Sequence, residues 1–433
     1  MAVFRAILAA TALACSCMAG WAVAQGGSAA AQGRSAPGTA GASPTAVATE
    51  PPLNDIAVFD SAVATIRASF FDPEFNHAPL DSTSAWRRSQ LVAAGASADV
   101  QRQVRDLLAE LRYSGCRFYR EGRAPDFTPA FRVRQTVDGV VVVAVQPGSD
   151  CEKAGLFKGD YLVTHESDLP GARGSMLTLR VRTGDGVEWS QPVRRDGFSS
   201  TESDLGWTVY AKRVGYLRVS RLHDPTVVDT AMQHVSKFPD LILDVRGCAD
   251  ADVSVLALLS QFAEKSSNAG FVANRRGLET LGRAMIVKYP RGTAESTGSP
   301  WLFHPTLSER GLLVLRVQPV EKPYSGEVVV LADEGTAGFA ELIPRWFREQ
   351  KRGRVIGRIT AGRGGLSAAL RAAQGWFLEL PTAALFAADG LPLEGRGAVP
   401  TNFVKWRQID VRAGADPDIE RALQLLGADQ AEP

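Results

Sequence analysis

The sequence predicts a multi-domain α/β protein, and three observations carry that reading. From about residue 205 onward, apolar strands alternate with helical stripes, as in a sheet buried between helices. Between about 130 and 196 the apolar period drops to two, with turn signals between short runs, which is the pattern of a small β-rich module. A chain of 433 residues also exceeds what one compact core usually accommodates.

The chain begins "MAVFRAILAATALACSCMAGWAVAQ", with a single basic residue, Arg5, an apolar run, and Ala22 and Ala24 before Gln25. This is a secretory signal with an A-x-A-type cleavage site, so residues 1–24 are expected to be removed and the protein exported, to a periplasm or outside the cell. Lipidation at Cys15 or Cys17 is the alternative, and the residues before them fit a lipoprotein site poorly. The apolar run is too short to span a bilayer comfortably, and no other stretch is longer, so no transmembrane segment is expected in the mature chain. Residues 25–52 are rich in Gly, Ala, Ser, Pro and Thr and cannot repay their ordering entropy, so they read as a flexible linker.

Residues 53–125 form a helical N-terminal segment. Ile56, Phe59, Val63, Ile66 and Phe70 recur at helical spacing, and Val104, Leu107, Leu108 and Leu111 make a second stripe. Residues 126–198 hold the β-rich module, with "GVVVVAV", "DYLVTH", "MLTLRVRT" and "VEWSQPVRR" as strands. Residues 199–410 hold the α/β domain. Its strands are "VGYLRVSRL", "DLILDVRG", "GEVVVLAD" and "GRVIGRIT". Its helices carry Val228, Ala231, Met232 and Val235, then Val255, Leu258, Leu259 and Phe262, then "AGFAELIPRWFREQ". A helical tail, 411–433, completes the chain.

Charge is balanced, formally +1, without a basic stripe, which argues against nucleic acid as a partner. Once the signal is removed, Cys116, Cys151 and Cys248 remain, an odd set that gives no disulfide framework. His77, His165, His223, His234 and His304 are scattered, in no motif that would bring one to a cleft, and no spacing suits a metal; no cofactor is expected.

Motifs then sharpen the picture. "VQPGSDCEKAGLFKGDYLV" resembles a PDZ core, with Gly148 and Gly155 at tight turns. "VGYLRVSRL", "LILDVRG", "VVVLADEGTAGFAE", "VIGRITAGRGGLS" and "LPTAALFAADGLPLEGRGAVP" resemble, in order, five motifs of the carboxyl-terminal processing (tail-specific) serine peptidases. The helical stretch with "FFDPEF" and "LLAELRYSGCRF" resembles the region that precedes the PDZ in those enzymes. The resemblance implies a helical segment, a PDZ-like module and an α/β peptidase-like domain.

It also implies a site. In this family a Ser attacks the scissile carbonyl, a Lys deprotonates it, a Gln positions the Lys, and backbone N–H groups hold the oxyanion. Carried over, the Ser falls on Gly338, the Lys, 25 residues on, on Arg363, the Gln on Ser367, and the oxyanion glycines on Asp250 and Ala251. Gly338 offers no nucleophile, and a guanidinium stays protonated where a buried Lys can be neutralised. Asp250 opposes an oxyanion, and Ser367 cannot span the reach of a Gln. Thr336, two residues before Gly338, has the nearest hydroxyl and reads first as a turn or N-cap residue of the following helix; Glu341 reads as favouring the N-terminus of that helix.

The PDZ-like module also reads as reduced. "PDFTPAFRVRQTVDG" lacks a Gly-rich carboxylate loop, and "DLPGARGSM" is too short and broken for the groove helix, which leaves two readings open: peptide strand addition beside "VVVVAV", or a structural module that only packs against the α/β domain. The resemblance with its departures implies a pseudopeptidase that binds or scaffolds peptides or envelope proteins, an active processing peptidase among them. The alternative is an active serine-type hydrolase with a relocated nucleophile, Thr336 being the candidate. Arg363 is the candidate ligand-binding residue, for an anionic group such as a peptide carboxylate.

Overall fold

The computed structural model describes residues 54–95, 99–122, 127–199, 203–282, 294–296, 307 and 309–428. The expected signal and linker, Cys15, Cys17, His304 and residues 429–433 lie outside the described residues. No described helix is long and apolar enough to cross a membrane.

The N-terminal region forms helices α1 (Asp55–Ser69), α2 (Leu80–Ala94) and α3 (Val100–Glu110), followed by strand β1 (Arg117–Arg120). Asn54 and Asp99 start α1 and α3 by accepting from the amides of Ala57 and Arg102, at 2.8 and 2.9 Å. The apolar stripe of α1 is buried as its spacing requires, and α2 is an added helix that carries no clean stripe.

The β-rich module holds β2 (Phe131–Thr136), β3 (Gly139–Val145), the short helix α4 (Asp150–Lys153), β4 (Tyr161–Leu162), β5 (Met176–Arg182) and β6 (Glu188–Arg194), in the spatial order β2-β3-β4-β5-β6. The expected docking of a peptide strand beside "VVVVAV" needs correction. Those residues are β3, inside the sheet, because the two-residue turn Val137-Asp138 folds "FRVRQT" back onto them. The edge on that side is β2.

In the α/β domain, β7 (Leu205–Tyr210) pairs antiparallel with β8 (Val214–Val219). Then come β9 (Arg221–Leu222), α5 (Thr226–Val235), β10 (Asp240–Asp244), β11 (Asp250–Ala251), α6 (Val255–Ser260), β12 (Ser267–Asn274), α7 (Arg275–Leu281), β13 (Ala294–Ser296), β14 (Leu312–Val317) and β15 (Glu327–Ala332). A 3-10 turn, Gly338–Glu341, leads into α8 (Leu342–Glu349). The chain then runs through β16 (Arg354–Gly357), β17 (Gly365–Ala373), β18 (Trp376–Ala387), β19 (Asn402–Phe403), α9 (Gln408–Ala413) and α10 (Pro417–Leu425).

The expected sheet has the order β19-β16-β15-β10-β8-β7 and is parallel except for β7. A second sheet, β1-β18-β12-β14-β13 with β17 on β18, lies across the helices. Side chains of α5, α6 and α8 join both sheets in one core, from Leu243 and Val330 on one side to Val272 and Leu315 on the other. The far face of the second sheet, with Phe271, Val314 and Leu378, packs against α1 and α3. The outer face of the first sheet, with Ile242, Val329 and Ile356, packs against Ala422 and Leu426 of the tail, so the inner strands of both sheets are buried on two faces, which explains their near-continuous apolar runs.

A charged cluster fastens these layers to the module and the tail. Asp244 at the end of β10 accepts from Arg246 and from Tyr216 Oη at 2.7 Å. Arg246 also reaches Asp416 and Asp418 at 2.9 Å, and Asp418 accepts from Arg358 and from Trp406 Nε1. Trp406 packs on Val141 of the module, and Arg134 of β2 lies over its ring and meets Asp333 at 3.4 Å. Burial pushes the Asp244 carboxyl up, but Arg246 and Arg218 beside it outweigh this and hold it down at about 2. A carboxyl held below its unfolded pKa of about 3.9 stabilises the fold above that value and loses the contribution as pH falls towards 2. Asp244→Asn, which leaves Arg246 without its nearest counter-charge, is expected to cost about 3–5 kcal/mol in urea unfolding at neutral pH. Unchanged stability would show that the cluster does not hold the layers together.

Candidate functional site

The site forms where β10 and β15 end side by side. Beyond Ala332, Asp333 turns the chain: its carboxylate accepts from the amides of Gly247, at 2.7 Å, and Gly335, at 3.0 Å. Thr336 is fully buried. Its hydroxyl donates to the carbonyl of Val245 at 2.8 Å and accepts from the amide of Asp333 at 3.2 Å. The expected cap on the following helix is therefore absent; the hydroxyl looks back into the turn and ties it to the end of β10. Thr336 is engaged on both sides and faces no cleft.

Gly338 follows with φ +63°, the left-handed region that favours glycine, and a Cβ built there would meet no atom within 4 Å. Its amide donates to Glu341 Oε1 at 3.2 Å, and the amide of Arg363 donates to the same oxygen at 2.8 Å. Positions 338 and 363 thus meet across one carboxylate. The other oxygen of Glu341 accepts from Thr360 Oγ1 at 2.5 Å and the Gly362 amide at 2.9 Å. Glu341 does more than favour a helix end: it is fully buried and clamps the turn to the loop before β17. Burial pushes its carboxyl up, against the four hydrogen bonds that pull it down.

The Arg363 side chain is exposed, and its guanidinium has no hydrogen-bond or ionic partner among the described residues. Ser367, on β17, donates to the Gly115 carbonyl at 3.3 Å. The turn before β1 thus enters the site from the N-terminal segment, which the sequence did not indicate. Glu394 fixes it there by accepting from the Ser114 amide at 2.7 Å and from the Gly364 amide at 2.8 Å. Cys116 follows, but burial, Glu394 and Glu379 push its thiol up to about 12, so it offers no thiolate at neutral pH.

Asp250 and Ala251 form β11, which pairs with Arg221–Leu222 and packs against the 338–341 turn. Asp250 Oδ1 lies 2.7 Å from His223 Nε2, and Asp252 Oδ2 lies 3.4 Å from His223 Nδ1. This corrects the expectation that no histidine comes to the cleft. The signal that would have found His223 is its place just beyond the carboxyl ends of β8 and β9, where open α/β sheets carry their sites. Burial depresses the His223 pKa, but the two carboxylates outweigh it and the net shift is upward.

Buried parallel strands with a helix-entering turn at their carboxyl ends define an open α/β frame, whose sites lie beyond the strand ends. Residues 213–403 match the model of peptidase family S41. No curated protein matches the chain. Among solved structures, the chain is similar to a photosystem II D1 C-terminal processing protease, with TM-score 0.53 and 16% identity over 88% of this chain and 99% of that one. It is also similar to mature CPAF, with TM-score 0.59 and 14% identity over 86% and 97%, and to mature CPAF complexed with lactacystin, with TM-score 0.58, 14% identity and 86% and 98% coverage. These likenesses show the fold, and the resemblance to processing peptidases read from the motifs holds.

Two outcomes test this geometry. Glu341→Gln sets an amide NH₂ against backbone donors; it should destabilise the protein by about 2–3 kcal/mol in urea and speed hydrogen exchange at Gly362 and Arg363. Exchange as slow as in the unmutated protein would remove the clamp. For His223, a raised pKa means that its pairing is fully present below about pH 6.5 and is lost as pH rises through the folded value. Its NMR titration midpoint should lie above 6.5 and drop in Asp250→Asn.

Proposed function

We propose that this chain is an exported pseudopeptidase, which keeps the frame and cleft of a processing peptidase to bind peptide or protein segments and does not cleave them. The observation that carries the reading is joint replacement within a retained frame: Gly338, Arg363, Ser367 and Asp250-Ala251 stand where nucleophile, base, orienting residue and oxyanion glycines would be. The hydroxyl of Thr336, the substitute candidate, is buried and doubly hydrogen-bonded, which weighs against a relocated nucleophile there.

Arg363 supplies the binding chemistry. It is an unpaired, permanently charged guanidinium on a residue whose backbone meets that of Gly338 across Glu341, suited to a carboxylate such as a peptide C-terminus. The ligand class is peptides or envelope proteins, with an active processing peptidase as one partner; such a partner would co-purify. Export rests on the N-terminal signal segment.

The deciding experiment is a casein and tail-peptide cleavage assay. The protein as it stands should show no turnover and no labelling by a serine-reactive probe; cleavage abolished by Thr336→Ala would overturn the reading. The triple variant Gly338→Ser, Arg363→Lys, Ser367→Gln tests whether the frame still supports catalysis. Arg363→Ala should weaken binding of a free-carboxylate peptide about tenfold or more, the loss of one charge-assisted hydrogen bond, and leave an amidated peptide unaffected.

A further inference from the structure

The main sheet ends at β7, and nothing among the described residues pairs with its outer side. The strand "LGWTVY" pairs with β8 over Leu205–Tyr210 without a register shift. It carries none of the usual protections of an edge: no charge, no proline and no bulge. Its apolar side chains are open to solvent, Trp207 at 45% and Val209 at 43%, and Val227 on α5 extends the patch at 36%. The Trp207 indole is held flat on the His234 ring, with centroids 4.3 Å apart and planes 11° apart, so the patch is fixed in place.

Hydrogen-bond alternation identifies the free groups. The Ser220 amide donates to the Asp204 carbonyl at 2.8 Å, so Asp204, Gly206, Thr208 and Tyr210 face β8. The backbone N–H and C=O groups of Leu205, Trp207 and Val209 then point outward.

We propose that β7 is the contact of a two-fold dimer, in which β7 of a second copy of this chain adds antiparallel with the axis through Thr208. This register sets Trp207 opposite Val209 twice, with four main-chain hydrogen bonds from outward-facing groups only. It also brings Asp204, exposed at one end and paired with Arg221 of its own copy at 2.7 Å, to the hairpin tip that carries exposed Lys212 in the other copy. The strand is therefore self-complementary in hydrogen bonding, apolar contact and charge, as an isologous interface requires. The two sheets become one continuous sheet, and the Gly338 clefts stay apart from the axis, because β7 and β15 are separated by β8 and β10.

Sedimentation velocity on the purified full chain tests this. A dimer should appear at micromolar concentration and be lost in Trp207→Asp. It should also be lost in Val209→Pro, which removes an outward N–H and leaves the ladder to β8 intact, with unchanged circular dichroism. Thr208 would face its own copy in a non-hydrogen-bonded pair, with Cβ atoms ~5 Å apart, close to disulfide range. Thr208→Cys should therefore give a covalent dimer on oxidation, whereas Thr178→Cys, on exposed β5, should behave like the unmutated chain. A monomer at all concentrations with no trapping overturns the proposal, as does a dimer that survives both edge substitutions.

Discussion

The candidate site depends on one buried carboxylate. Glu341 collects four donors from two segments that are distant in sequence, the 338 turn and the 360–363 loop. Backbone N–H groups in such turns have no partners in a sheet or helix, and burying them unpaired would cost about 1–3 kcal/mol each. A neutral side chain of the same size cannot accept from all of them. The cost of desolvating Glu341, visible in its raised pKa, is offset only while both segments keep their places. The carboxylate thus enforces the proximity of positions 338 and 363 whatever side chains those positions carry.

The charged cluster plays the corresponding part between domains. Asp418 on α10 accepts from Arg246, Arg358 and Trp406, residues of three separate segments, and Trp406 carries the module through Val141 and Arg134. Asp333 belongs both to this cluster, through Arg134, and to the turn before Gly338, through the Gly247 and Gly335 amides. A ligand that moved β2 of the module would act on Asp333, and through it on the site. The path is a chain of polar contacts from β2 through Arg134 and Asp333 to the amides of Gly247 and Gly335.

Much of the parallel sheet was legible because burial on both faces forces apolar runs, as in "DLILDVRG" and "GEVVVLAD". The 338 turn was legible because glycine and small residues are needed between a strand and a closely packed helix. The second sheet was not. Its strands β12, β14 and β18 are antiparallel and far apart in sequence, and their faces are shared between two cores, so no local period marks their pairing. His223 was missed for a related reason: its partners, Asp250 and Asp252, are reached through the sheet order rather than the sequence. Thr336 was read as a turn or cap residue and sits in the turn, but residue type and position gave no sign that its hydroxyl reaches the Val245 carbonyl just beyond β10.

The glycine at 338 also carries an energetic argument. With φ at +63°, any L side chain there pays roughly 1–2 kcal/mol of backbone strain, which an active enzyme accepts to aim its nucleophile. Glycine avoids that strain, and the turn uses only backbone groups at this position, the amide donating to Glu341. At position 363 an arginine keeps its charge without being buried or neutralised, and its side chain stands in solvent. Both residues favour stability over strain at the site. The unpaired guanidinium is the exception. Without an ion-pair partner among the described residues it adds little to the fold.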